Sequence, residues 1–231
     1  MAQAMAPTMI RQFWLMTIPG NQRLLRRAIH PAFEITPCPA TDRHHGRAKR
    51  TDNLQVIADP RALKDFTWTW YTELLISPKA LRAFEKHHVT GFDVRPVVAR
   101  YPKPIKARPP ELYEVIVTGW AGLPSREAKL IVTRSCKACG DTHYSIGDPS
   151  KILDPTAWDG SDLFMVWPFP RHPFASDRLA SIIRQEKLSG VKLIPPAAIE
   201  MEPDAQIHAG SLFAWLPEER AEELSRQLGV C

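Results

Sequence analysis

At 231 residues and 44% hydrophobic content the chain is long enough for a buried core, and wholesale disorder is excluded. Its 22 prolines argue against long helices, because proline denies a backbone donor and favours loops, extended segments and helix starts. The net charge of +5 comes from basic and acidic residues that are mostly interspersed, so it reads as a solvated surface that permits contact with nucleic acid or an acidic protein.

Residues 1–8 read as a frayed tail without a basic n-region, and the apolar run after them is broken by Arg11 and Gln12, so no signal peptide is expected. Phe13 to Ile18 reads as a strand ended by Pro19-Gly20. The stretch 37–52 holds Cys38, His44, His45 and several basic residues and reads as an exposed loop. Phe66 to Thr72, with alternating threonines, reads as one strand that places Trp68 and Trp70 on a common face. Ser77 is a good N-cap, Pro78 suits the first helical position, and Ala80, Leu81 and Phe84 recur at helical spacing before Gly91.

The second half repeats this pattern. Ser176 caps a helix with Asp177 in its first turn and Leu179, Ile182 and Ile183 on one face, ending before Gly190. After each glycine a short apolar run, Phe92 to Val94 or Val191 to Ile194, meets a proline. Between the copies, 98–110 is basic and proline-rich, as a stiff linker would be, and Leu112 to Gly119 follows as a strand. Lys129 to Thr133 leads into Cys136-Lys137-Ala138-Cys139-Gly140, and Pro217 to Leu228 reads as a short C-terminal helix stopped by Gly229.

The expected fold class is α+β, with two pseudo-repeats of strand, capped helix and strand, roughly 9–97 and 111–200, around mixed sheet. A C-terminal extension, 201–231, completes one compact domain. Cys136 lies fifty-four residues before Gly190 and Cys38 fifty-three before Gly91, which makes Cys38-Pro39-Ala40-Thr41 the remnant of a first knuckle.

A CxxCG turn presents two thiolates to one soft cation, and its glycine allows the tight backbone that brings amides to the sulfurs. The candidate metal ligands are Cys136 and Cys139, completed by Cys38, His143 and His44 or His45; a pseudo-dyad that made the old knuckles face each other would build one Cys3His site. Zinc is the expected cofactor, with a metal-free vestige and a redox dithiol as alternatives. Four cysteines so spaced do not form a disulfide framework, and CxxC suits a reducing compartment, so the cytoplasm is expected. Nor is there an uninterrupted stretch of about eighteen apolar residues, so no membrane contact is expected.

The segment 167–174 alternates aromatics and prolines, and Trp167, Phe169, Arg171 and Phe174 are its candidate partner-binding residues; the alternative is an edge that prolines protect from aggregation. Asp159 and Asp162 read as turn residues rather than an acid-base pair. No GxGxxG after a strand, GxxxxGK[ST], HExxH or GxSxG occurs, and a non-enzymatic protein is expected.

From the strand near Leu112 through the knuckle to Asp162-Leu163-Phe164 and the helix ending at Gly190, the chain resembles the double-CXXCG motif family. These are bacterial proteins known from myxobacteria, some of which are immunity proteins against polymorphic toxins. Two departures stand out, the missing first CXXCG and the aromatic-proline stretch. The resemblance implies a small cytoplasmic protein that neutralises a cognate toxin by binding it. A zinc-knuckle module that contacts nucleic acid through Arg100, Lys103, Lys106 and Arg108 is the alternative.

Overall fold

The computed structural model describes residues 12–42, 47–103, 105–202 and 205–230, and the elements below are those of the described residues. In the first half, β1 (Phe13–Thr17), β2 (Arg26–Arg27), β3 (Phe33–Thr36), β4 (Arg47–Arg50) and β5 (Gln55–Ile57) precede β6 (Phe66–Trp68) and β7 (Leu74–Ile76). These lead into α1 (Pro78–Lys86), β8 (Phe92–Pro96) and β9 (Val98–Arg100). The second half runs through β10 (Tyr113–Val117), β11 (Gly119–Trp120), β12 (Leu130–Ser135), β13 (Asp141–Ile146), β14 (Leu163–Met165) and β15 (Phe174–Ser176). It continues with α2 (Asp177–Gln185), β16 (Lys192–Ile194), β17 (Ile207–Ser211) and α3 (Glu218–Leu228).

The two helix units have the same construction. Ser77 and Ser176 sit in extended backbone, and each hydroxyl accepts from the N–H three residues on, Ala80 or Leu179, at 3.2 Å in both cases. At the other end His88 and Lys187 take left-handed backbone, with φ of 49° and 50°, and reverse the chain. Val89 N then donates to Phe84 O, and Leu188 N to Ile183 O, both at 2.9 Å. Each helix buries one stripe, Ala80, Ala83 and Phe84 in α1 and Leu179, Ile182 and Ile183 in α2. A shared core takes in Phe66, Phe84, Leu163, Leu179 and Ile183.

The halves are entwined by exchange. β10, the first strand of the second half, pairs antiparallel with β7 and β8, whereas β1, from the first half, pairs antiparallel with β15 and β16. The loops that follow the helices cross over too. Thr90 O accepts from Leu163 N at 3.0 Å, and Ser189 O accepts from Phe66 N at 2.8 Å. Gly91 and Gly190, at φ 85° and 89°, lie so close to these strands that an added Cβ would overlap the carbonyl oxygens of Leu163 and Phe66.

Two carboxylates seal the exchange in matching positions. Asp65 Oδ1 accepts from the Ser77 hydroxyl at 3.1 Å while Oδ2 accepts from Ser189 N at 2.9 Å and Ser189 Oγ at 2.8 Å. Asp162 Oδ1 accepts from Ser176 Oγ at 3.0 Å and Oδ2 from Thr90 N, also at 3.0 Å. Asp162 is therefore a structural acceptor of the pseudo-dyad.

Three expectations are corrected. Residues 66–72 do not form one strand, because Thr69 turns the chain back: its hydroxyl accepts from Tyr71 N at 3.1 Å and Glu73 N at 3.3 Å. Trp68 is consequently buried, and Trp70 is 66% exposed on a different face. The stretch 98–110 begins with β9, which pairs parallel with β5. Lastly, 37–52 is not wholly a loop, since β4 pairs with β3 and Arg50 reaches the buried Glu114 on β10, its Nη1 donating to Oε1 at 2.8 Å.

Candidate metal centre

The knuckle is the connection between β12 and β13. Gly140, at φ 73°, lets its N–H return to the Cys136 carbonyl at 2.8 Å, and Cys136 N donates to Asp141 O at 2.8 Å. Two outside groups hold the turn in place: Ser211 Oγ donates to Cys139 O at 2.8 Å, and Thr142 Oγ1 donates to Gly140 O at 3.0 Å. The loop geometry is thus fixed from β13 and β17 on both sides.

Cys38 arrives from the other half, directly after β3, and is buried. The sulfurs of Cys38, Cys136 and Cys139 all lie within 4.8 Å of one another, and Cys38 Sγ is 3.7 Å from Cys136 Sγ. A disulfide needs about 2.05 Å, and none of the three cysteines is in a disulfide. A tetrahedral zinc with Zn–S bonds of about 2.3 Å sets its sulfurs about 3.8 Å apart. The observed separation fits a metal edge, so the three residues can supply three ligands to one cation.

The thiols differ in acidity. Burial works to raise Cys136, but N–H groups of Cys139 and Ala138 and the neighbouring thiols stabilise its thiolate and hold it at about 6. Burial pushes Cys139 up to about 12, and the negative Cys136 beside it adds to the rise. Cys136 is thus the thiol that would offer a thiolate to a soft cation, and a bound metal would have to displace the proton of Cys139.

Of the other predicted ligands only His143 lies among the described residues, and it does not join the sulfurs. His44 and His45 lie outside the described residues. His143 instead faces Asp141 and His208: its Nε2 is 3.6 Å from Asp141 Oδ1, and His208 Nε2 is 3.2 Å from Asp141 Oδ2. The two imidazoles stack at 4.2 Å between centroids. Asp141 and His143 are two apart on β13 and so share a face, a signal present in the sequence. That His208 meets them depends on strand pairing.

The partner-binding expectation at 167–174 is corrected by burial. Trp167 is fully buried with its Nε1 donating to Tyr144 Oη at 2.8 Å, and Phe174 is fully buried and stacked on Phe164 with centroids 5.9 Å apart. Phe169 is buried as well, leaving Arg171 exposed over the Trp215 ring. The prolines end strand pairing, as expected, but Leu212, Leu216, Ala221 and Leu224 of the C-terminal extension cover Trp167.

The exposed aromatics are elsewhere, and the sequence reading missed them. Trp70 and Tyr71 are 66% and 44% exposed in the turn between β6 and β7. Trp70 stands between two clefts of about 740 and 510 Å³, the first reaching Leu24 and Ile105 and the second Ile29. Arg26 lines both. No helix among the described residues is long and apolar enough to cross a membrane.

The chain matches no protein-family model and no curated protein.

Proposed function

We propose that this protein works by stoichiometric contact with a protein partner, and that a zinc ion at Cys38, Cys136 and Cys139 ties its two halves into the binding shape. The observation that carries the reading is the Trp70–Tyr71 surface. A large aromatic 66% exposed between two clefts, with Arg23, Arg26 and Arg27 around it, has the composition of an interface centre.

The pseudo-repeat supports this reading. Trp68 O accepts from Leu25 N at 2.8 Å and Met165 O from Ala121 N at 3.0 Å, which places Trp70 and Trp167 two residues beyond matching points. Trp167 is covered by the amphipathic α3, whereas no described segment covers Trp70. An amphipathic segment with acidic residues would fit the open position and complement Arg26, which lines both clefts, whereas Arg23 and Arg27 already face Asp59 and Glu73.

Within this class, the resemblance of the knuckle region to double-CXXCG proteins favours a toxin as the partner, and immunity as the role. The test is co-expression with the product of the adjacent gene, using the wild type and Trp70→Ala. Rescue of growth by the wild type and its loss in the variant support the reading. No rescue and no complex contradict it. Arg100, Lys103, Lys106 and Arg108 are all exposed, so a titration with DNA and RNA at two salt concentrations accompanies this test. Binding that falls steeply with salt would favour the nucleic-acid reading.

A further inference from the structure

We propose that Asp141, His143 and His208 form a second metal site, separate from the cysteine centre, that takes a zinc-class divalent cation and keeps a coordination position open to solvent. Their ligand atoms all lie within 4.8 Å of one another. Two residues at i and i+2 on a strand, with a third directly across on the neighbouring strand, form a triangle on one sheet face. Two imidazole nitrogens and a carboxylate are a ligand set suited to zinc, and three protein ligands leave a fourth position for water.

The strand pairing is bent to make this triangle. Asp141 pairs with Ser211 and Thr142 with Gly210, so regular pairing would place Ala209 opposite His143 and turn His208 to the other face. The register shifts at this point and His143 pairs with His208. Gly210, at φ 78°, supplies the left-handed backbone that such a bulge uses. β12 shifts register at the same residue, with Val132 opposite Tyr144 but Arg134 opposite His143. The core face of β13 is untouched, since Tyr144 remains fully buried. Bulges on both sides of His143 aim the imidazoles at one carboxylate.

Charge points the same way. The Asp141 side chain is only 8% exposed, and among the described residues its ion-pair partners are two imidazoles rather than a lysine or arginine. Arg134, across from His143 on β12, is exposed. Buried carboxylates are paired with a cation or bind a metal. The His208 side chain is 53% exposed, so the site opens on its side. A cation there would also clip β17 to β13 and fasten the extension that covers Trp167. This inference is independent of the protein-contact reading.

Cobalt(II) titration of the metal-free, full-length protein tests it, because thiolate ligands give an intense charge-transfer absorption that histidine and carboxylate ligands do not. The wild type should bind about one equivalent with that absorption and about one more without it. The second should slow amide exchange at 207–211. His208→Ala, at a half-exposed position, and Asp141→Asn should each lose the second equivalent and keep the thiolate band. The expected weakening exceeds the roughly 10–100-fold that loss of an outer-shell partner costs. Saturation of the wild type at the thiolate site alone would overturn the proposal. So would a second equivalent that survives both substitutions or leaves exchange at 207–211 unchanged. If a variant fails to fold, the wild-type spectra and exchange decide.

Discussion

Gly91 and Gly190 have no room for a side chain, for two independent reasons. Their φ angles of 85° and 89° disfavour L side chains, and a Cβ would collide with backbone oxygens that cannot move without breaking the exchanged strands. Gly91→Ala and Gly190→Ala should each lower stability by about 3 kcal/mol or more, read as a fall in the urea midpoint. Gly20, with open space around it, is the control and should tolerate alanine.

Asp65 gives a pH signature. Burial works to raise its pKa, but hydrogen bonds from Ser189 and Ser77 and the nearby Lys79 hold it below the ordinary 3.8. A depressed folded-state pKa stabilises the fold above the unfolded value, and that stabilisation is lost as pH falls through the folded value. The stability difference between wild type and Asp65→Asn should therefore be full at pH 7 and shrink below about pH 4. Urea titrations at neutral and acidic pH check this, and a constant difference would contradict it. The pairing of Ser77 with Asp65 could not be read locally, because the acceptor lies on another element.

At the scale of elements, the β3–β4 hairpin delivers Cys38, and the ion pair of Arg50 with Glu114 fixes the hairpin to β10. Their side chains are 11% and 6% exposed. Removing one member of a buried pair leaves the other charge uncompensated, so Glu114→Gln should cost about 3–5 kcal/mol and weaken metal binding at the cysteines. Thermal unfolding with and without zinc measures both effects. Trp70→Ala removes mostly exposed surface and should change stability by less than about 0.5 kcal/mol. It should weaken partner binding by at least about 2 kcal/mol in a calorimetric titration if Trp70 is an interface anchor.

Both capped helices were legible because Ser77-Pro78 and Ser176-Asp177 are local signals with local consequences. The 66–72 segment was misread because Thr69 serves a turn with the same residue type that suits a strand. Trp167 and Phe174 were misread for a different reason: their cover comes from a C-terminal extension whose docking no short-range pattern reveals.

The whole molecule is organised by the exchange of β1 and β10, which makes neither half's sheet complete without the other. The repeat itself could be read from the near-equal spacing of cysteine and glycine, and the meeting of Cys38 with the complete knuckle accords with a pseudo-dyad. The exchange could not, because either half could have closed on its own strand and the choice lies in long-range packing. The cysteine centre crosses the same boundary, with one sulfur from the first half and two from the second. A metal bound there would clasp the halves together, and its binding free energy would add to the stability of the entwined form.

The direct test is the thiolate-to-cobalt absorption of the metal-substituted protein, compared among wild type, Cys136→Ser and Cys38→Ser. A centre built across the halves predicts an intense band in the wild type that is lost in Cys136→Ser and weakened by about one third, in step with thiolate count, in Cys38→Ser. No band in the wild type, or a band unchanged by Cys38→Ser, would contradict it.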